Sequence, residues 1–201
     1  MARPIFIVGM PRSGSTVFYN TLAKHPEVAW VSQASKKFPR SLLLTRFIMA
    51  FRADRRPTEG HRIWRRYVRA EDDSLRREHV TAAQRRYYTT LVDMHVRLHG
   101  KPRFLSKYPR NVLRFEYLDE IFPDALFLHL IRDGRAVAQS VLQMRDGHGG
   151  RNLWWGIRPP GWRTLERLEP VESVGLQWKM TIEYARKSAA SLSPARYLEI
   201  R

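Results

Sequence analysis

The chain has 201 residues, 43% of them hydrophobic, which is typical of one globular domain with a full core. It contains no cysteine, and this excludes disulfide bonds and thiolate metal sites. A formal net charge of +17 at pH 7 favours a polyanionic partner, whether nucleic acid, an anionic membrane or a small phosphorylated ligand. No apolar run has the length of a membrane span and no signal-peptide pattern precedes the first strand, so we expect a cytoplasmic protein.

Short apolar runs alternate with helical patterns along the chain. The strands predicted from these runs cover residues 4–8, 28–32, 103–106, 125–131 and 195–201. The helices predicted between them cover residues 14–24, 40–52, 78–99, 111–121, 134–145 and 171–191. This alternation predicts an α/β fold, a three-layer sandwich with a central, mostly parallel sheet, similar in architecture to P-loop nucleotide-binding proteins.

Two segments fit neither regular element. Residues 52–69 are dense in arginine, which is typical of a solvated helix face and, as an alternative, of a surface that recognises an acceptor. Residues 146–163 are rich in Gly, Pro and Trp, and we expect them to form a loop inserted into a single domain over residues 1–201. Because the last predicted strand runs to residue 201, we expect the natural chain to continue, so that the domain is truncated at its C-terminus.

The first strand leads into a loop rich in glycine and hydroxyls, GMPRSGST. Gly9 and Gly14 keep the spacing of the triphosphatase loop G-x-x-x-x-G-K-[ST], but Ser15 stands in the place of its lysine and Arg12 lies inside the loop. Backbone N–H groups at a helix N-terminus attract anions, and the glycines allow a close approach. The side-chain hydroxyls of the loop belong to Ser13, Ser15 and Thr16. The loop therefore predicts a phosphate site.

A second stretch, FLHLIRDGRAVAQS at residues 127–140, places Arg132 at the end of a buried strand and Ser140 in the helix that follows. Ligands of open α/β sheets bind at the carboxyl ends of the strands, so we expect Arg132 at the same edge as Arg12. A guanidinium suits a phosphate dianion, and a serine hydroxyl complements it. The alternative is a surface ion pair between Arg132 and Asp133.

The loop PRSGST followed by RDGRAVAQS resembles the PAPS-dependent sulfotransferases, which transfer a sulfuryl group from 3′-phosphoadenosine 5′-phosphosulfate (PAPS) to an acceptor hydroxyl or amine. The resemblance implies that the 5′-phosphosulfate is held by Arg12, Ser13, Gly14, Ser15 and Thr16. It implies that the 3′-phosphate is held by Arg132 and Ser140. The family's K-x-P element is present in SKYPRN as Lys107, and the resemblance implies catalytic roles for Arg12 and Lys107. It also implies PAPS as co-substrate, adenosine 3′,5′-bisphosphate as product, no metal and no nucleic-acid partner.

The sequence departs from the family pattern at two points. Val17 stands where many members place the tryptophan that stacks on adenine, so Phe18 or a tryptophan of residues 154–162 is the candidate for that contact. The family's general base is not recognisable either. The candidates by chemistry alone are His25, Glu27 and His61.

Two other functions remain open from the sequence. A kinase that uses ATP would need a lysine in the loop and a carboxylate for Mg²⁺; Ser15 argues against the first, and Asp133 imitates the second. A nucleic-acid or polyanion-binding protein would use the net charge together with stacking aromatic residues. A zinc site at His95 and His99 is disfavoured because HVRLH lacks the glutamate of H-E-x-x-H.

Overall fold

The structure is a computed structural model that describes residues 3–32, 57–67, 71–150 and 152–201. Five strands form one sheet in these ranges: β1 Ile5–Gly9, β2 Val28–Ala29, β3 Arg103–Lys107, β4 Leu126–Leu130 and β5 Tyr197–Ile200. Their spatial order is β2-β3-β1-β4-β5, and each neighbouring pair is parallel. The prediction of an α/β fold around a parallel sheet is confirmed.

Six α-helices are found in the described ranges: α1 Ser15–Leu22, α2 His61–Trp64, α3 Ala82–His99, α4 Phe115–Ile121, α5 Gly134–Gly147 and α6 Pro170–Ala189. Short 3₁₀ helices lie at Arg77–His79, Pro109–Leu113, Trp162–Arg167 and Pro194–Arg196. Among the described residues, none of the helices combines the length and the apolar character that crossing a membrane requires. The helix predicted at residues 40–52 lies outside the described residues.

The ends of several predicted elements differ from the prediction, and the helix predicted from residue 78 and the strand predicted at residues 28–32 show why. The helix predicted from residue 78 begins at Ala82, because the Thr81 hydroxyl accepts a hydrogen bond from Gln84 N (3.2 Å) while Gln84 Oε1 accepts one from Thr81 N (2.9 Å). The strand predicted at residues 28–32 pairs with β3 only through Val28 and Ala29. Ser32 instead forms an isolated antiparallel bridge with Pro57.

The sheet separates two apolar layers, because successive side chains of a strand point to opposite faces. On one face, Ile7, Leu105 and Leu130 pack with Tyr19 of α1. On the other face, Phe6 and its neighbours pack against α3, α4, α5 and α6, with ring contacts such as Phe6–Phe127 at 5.7 Å. Helices therefore cover the sheet on both sides, and the predicted three-layer arrangement is confirmed.

The register of the sheet brings three strand ends to one edge. Ile7 of β1 is level with Lys107 of β3, and Gly9 is level with Leu130 of β4. The segments that follow β1, β3 and β4 consequently leave the sheet side by side, which is where ligands bind in open parallel sheets.

Candidate active site

The loop after β1 is a tight turn that aims the N-terminus of α1 at this edge. A Cβ added at Gly9 would lie 2.5 Å from the carbonyl oxygen of Leu130, so only glycine allows β1 and β4 to approach this closely here. Ser13 N donates to Met10 O (3.2 Å), and Gly14, with φ of 85°, precedes the first turn of α1. Arg12 has φ of 72°, the one positive φ of a non-glycine residue within the described ranges.

The donor groups of the loop have different environments. The Ser13 hydroxyl is buried beside Gly9, has no hydrogen-bond partner among the described residues and does not line the cleft. Ser15 is buried, whereas Thr16 is exposed and accepts a hydrogen bond from Lys107. The helix N-terminus, the glycines and the exposed Thr16 hydroxyl together fit a phosphate or phosphosulfate group.

Arg12, Arg132 and Ser140 form one connected cluster. Arg12 Nε donates to Ser140 Oγ (2.7 Å), and Arg132 Nη1 donates to the carbonyl oxygen of Arg12 (3.1 Å). The resemblance assigned these residues to opposite ends of the donor, but the structure joins them directly across α5 and the loop. The guanidinium groups of Arg12 and Arg132 line the same cleft.

Lys107, the last residue of β3, is the buried cation of the site, with 4% of its side chain exposed. Its ammonium donates to Thr16 Oγ1 (3.1 Å) and forms an ion pair with Glu59 Oε1. The lysine therefore connects the phosphate loop to a carboxylate that sequence reasoning did not identify.

Glu59 is the acidic residue that lines the cleft. Its second oxygen, Oε2, lies 3.0 Å from His61 Nε2, and the side chain is 24% exposed. Burial alone would raise the pKa of Glu59, but the hydrogen bond from His61 and the charge and hydrogen bond of Lys107 outweigh it and hold that pKa below its usual value. Glu59 is therefore a carboxylate near neutral pH.

The other candidate bases lie elsewhere. Glu27 N donates to His25 Nδ1 (3.2 Å) in the exposed turn before β2, and neither residue lines the cleft. His61 does line it, in contact with Glu59. Of the three predicted candidates, the structure therefore brings only His61 to the reaction site.

A cleft of about 680 Å³ joins these groups to the segment Trp154–Arg158. Gln177 of α6 fixes that wall, because its amide nitrogen donates to the carbonyl oxygens of Trp155 (3.1 Å) and Ile157 (2.7 Å). The buried carboxylate of Asp73 accepts from Arg158 N (2.9 Å) on the same wall. Residues 148–161 contain neither helix nor strand where the structure describes them, yet buried hydrogen bonds hold part of them in place.

The cleft is strongly basic and partly aromatic. Its lining cations are Arg12, Arg65, Lys107, Arg110, Arg132 and Arg158, against the single carboxylate of Glu59 among the described residues. Val17, 72% exposed, also lines it, as do Trp154 and Trp155. Phe18 packs beneath the sheet with the α1 layer instead, so of the stacking candidates the tryptophans lie at the cleft.

Asp133, which the kinase alternative would require as a magnesium ligand, instead contacts Arg135 at the start of α5. Its carboxylate caps α5 by accepting from Arg135 N (2.8 Å) and pairs with the Arg135 guanidinium (2.7 Å), and these hydrogen bonds hold its pKa well below the usual range. It is absent from the cleft lining. Within the described ranges, no group of three or more His, Cys, Asp or Glu residues is arranged to hold a metal ion.

A model of the sulfotransferase family matches residues 4–201, which is nearly the whole chain. The chain belongs to the sulfotransferase family. The chain is 31% identical to protein-tyrosine sulfotransferase A of Caenorhabditis elegans over 70% of its own length and 33% of that relative. It is 28% identical to protein-tyrosine sulfotransferase 1 of Homo sapiens over 74% of the chain and 36% of that relative. The chain thus spans about a third of the length of these two curated relatives. It spans 25% of the length of another relative, the protein-tyrosine sulfotransferase of Drosophila melanogaster.

Solved structures show the same fold. A sulfotransferase from Mycobacterium avium superposes with a TM-score of 0.62 at 16% identity, covering 98% of this chain and 58% of that one. A sulfotransferase from Mycobacterium tuberculosis superposes with a TM-score of 0.59 at 15% identity, covering 100% and 62%. At these identities the likeness establishes the fold alone.

Proposed function

We propose that this chain transfers the sulfuryl group of PAPS to an acceptor hydroxyl or amine. Family membership supports the reaction class, and one observation of the cleft carries the proposal. The buried Lys107 at the end of β3 contacts both the hydroxyl of Thr16 and the carboxylate of Glu59. Arg12 and Arg132 line the same cleft and add to its positive charge. That arrangement supplies anion binding, charge stabilisation and a base within one site.

The donor would be held at two anionic ends. The loop residues Ser13, Gly14, Ser15 and Thr16 would hold the phosphosulfate, chiefly through the backbone N–H groups at the start of α1. Arg132 and Ser140 would hold the 3′-phosphate. Because Arg12 already contacts Ser140, we infer that Arg12 exchanges that hydroxyl for a donor oxygen on binding.

PAPS supplies an activated sulfuryl group, and the chemistry left to the protein is positioning and charge stabilisation. Arg12 and Lys107 would stabilise the charge that develops on the sulfuryl and bridging oxygens. Lys107 is suited to this role because it is nearly excluded from water, where an ammonium acts more strongly than at a surface.

Glu59 is the general base in this proposal. It lines the cleft, its pKa is held below the usual value, and it pairs with Lys107, beside which the acceptor would approach the transferred group. Arg65, Arg110 and Arg158, together with Trp154 and Trp155, would shape the acceptor side. We keep the cytoplasmic location and the absence of a nucleic-acid partner as predictions.

The test is release of adenosine 3′,5′-bisphosphate from PAPS, measured with a tyrosine peptide, a simple phenol and a monosaccharide as separate acceptors. The peptide is included because curated relatives are named protein-tyrosine sulfotransferases. We expect acceptor-dependent release that falls by about 10²- to 10³-fold in Lys107→Met. Lys24→Met, in the exposed turn after α1, is the matched control and should retain activity. Release that needs no acceptor and survives Lys107→Met would contradict the proposal.

A further inference from the structure

The turn at Thr58–His61 gives the two oxygens of Glu59 separate partners. Gly60, with φ of 61°, reverses the chain ahead of α2, so that Glu59 and His61 point into the same cleft. Oε1 of Glu59 pairs with Lys107, and Oε2 lies 3.0 Å from His61 Nε2. Thr58 anchors the turn, because its N–H donates to Val31 O (2.8 Å) and its carbonyl accepts from the Tyr19 hydroxyl (3.2 Å).

We propose that His61 is the positioning residue of Glu59, holding Oε2 so that Oε1 passes from Lys107 to the acceptor when the donor draws the ammonium away. The inference rests on the proposed function, since it assigns Glu59 as the base of that reaction. Before the donor binds, Oε1 of Glu59 is paired with Lys107 and does not act as a base. After the donor binds, Oε1 becomes available to the acceptor.

The contacts determine which partner leaves. Lys107 is bound to Thr16 of the phosphate loop as well as to Glu59, so a bound phosphosulfate competes directly for its ammonium. Among the described residues, His61, unlike Lys107, makes no hydrogen bond with the loop after β1, so a phosphosulfate bound there would not compete with Glu59 for His61. The His61 ring packs edge-on against the ring of Tyr108, with centroids 5.3 Å apart. The His61 contact therefore remains when the Lys107 contact is exchanged.

His61 matters most at that moment. Without Lys107, burial would favour the protonated form of Glu59, which cannot accept a proton. A hydrogen bond from Nε2–H to Oε2 keeps the carboxylate ionised and fixes its orientation. The other charged or titratable groups that face Glu59 and His61 are Tyr19 of α1, Arg65 on their own segment, Lys107, Tyr108 and Arg110 from β3 and the turn after it, and Arg12, Arg132 and Arg158 on the cleft lining. The cations among these also favour ionised Glu59, but among the described residues the contact to Oε2 comes from His61.

The transfer step balances with these residues. The acceptor oxygen forms a bond to sulfur while the bond from sulfur to the bridging oxygen breaks. The bridging oxygen leaves on adenosine 3′,5′-bisphosphate with the electron pair, beside Lys107. The acceptor proton passes to Glu59 Oε1 and afterwards to water.

The test compares His61→Ala and His61→Gln with the wild-type chain. The control is Arg62→Ala, because Arg62 is the exposed neighbour of His61 and does not line the cleft. Three quantities are measured: calorimetric binding of adenosine 3′,5′-bisphosphate, PAPS turnover with a simple phenol as acceptor from about pH 5 to about pH 9, and the ¹³C NMR titration of the Glu59 carboxyl carbon. The third does not depend on turnover.

We expect His61→Ala to bind the bisphosphate as the wild type does and to lose about tenfold in kcat at the acid end, because a hydrogen bond to a charged group is lost. The acid limb of its pH profile and its Glu59 titration should both move to higher pH. His61→Gln, whose amide can donate to Oε2, should recover most of the loss.

An unchanged Glu59 titration in His61→Ala would overturn the inference, whatever happens to the rate, because it would show that His61 does not act through the carboxylate. A loss of turnover that is equal at every pH would also overturn it. If the wild-type chain neither binds the bisphosphate nor turns over PAPS, the proposed function fails, and the carboxyl titration still decides whether His61 controls Glu59.

Discussion

Replacing Glu59 by glutamine should separate donor binding from turnover. The change keeps the shape of the side chain and one oxygen that can accept from Lys107, but it removes the negative charge and the proton acceptor. In the wild-type chain this carboxylate is the acidic partner of Lys107, which in turn contacts the phosphate loop.

The magnitudes follow from the exposures of the two partners. Lys107 is 4% exposed and would keep its hydrogen bonds without charge compensation, whereas Glu59 is 24% exposed and partly screened. We therefore expect the free energy of unfolding to fall by about 1–2 kcal/mol, below the value for a fully buried pair. Loss of a general base should lower kcat by about 10²- to 10⁴-fold. Binding of adenosine 3′,5′-bisphosphate should be equal or tighter, because the cleft gains one unit of positive charge.

The assay is bisphosphate release from PAPS, with urea unfolding and calorimetric binding of the bisphosphate measured on the same preparations. Glu27→Gln is the matched control, since Glu27 lies in an exposed turn outside the cleft and was a candidate base from the sequence. Full turnover in Glu59→Gln would refute the assignment of the base. A loss of turnover in Glu27→Gln with none in Glu59→Gln would transfer the role to that residue.

Two stability predictions concern the framework of the site. Gly9→Ala would force a Cβ to within 2.5 Å of the backbone oxygen of Leu130, so the free energy of unfolding in urea should fall by about 1–3 kcal/mol. Gly175→Ala is the control, because no atom lies within 4 Å of its added Cβ, and it should not destabilise the chain. Equal effects of the two changes would contradict the close approach of β1 and β4. Burial lowers the pKa of His95 and of His129 to about 4, below the value of about 6.5 in the unfolded chain, so the unfolded state binds more protons between these values. The free energy of unfolding should fall as the pH drops through this window, by up to about 3 kcal/mol per histidine, and His129→Phe should remove its share; a free energy that is flat across the window would contradict it.

Local patterns were sufficient to predict the frame of the site. The run IFIVG and the glycines after it predict a strand, a tight turn and a helix, and the run that leads to Arg132 predicts the neighbouring strand end. Because parallel strands place their carboxyl ends at one edge, the sequence is enough to predict Arg12 and Arg132 at a common edge, and the family resemblance adds Lys107; all three line the cleft.

The contacts inside the cleft could not be predicted in this way. Glu59 reaches Lys107 across 48 positions through a left-handed turn at Gly60, inside an arginine-rich stretch whose composition suggested only a surface. The Arg12–Ser140 hydrogen bond joins residues 128 positions apart. Such pairs depend on how turns and helix ends are oriented in three dimensions, and one sequence carries no local signal for that. The start of α3 was predictable in principle, since the Thr81–Gln84 capping pair is a sequence pattern.

The most direct test of the donor site is a calorimetric titration with adenosine 3′,5′-bisphosphate in the absence of Mg²⁺, compared with adenosine 5′-monophosphate, with ATP plus Mg²⁺ and with Arg132→Ala. We expect one tight site for the bisphosphate, weak binding of the monophosphate, and a loss of at least about tenfold in affinity in Arg132→Ala, because a charged hydrogen-bonding partner is removed. Preference for ATP with Mg²⁺, indifference to the 3′-phosphate, or binding that follows only the length and charge of a polyanion would contradict it.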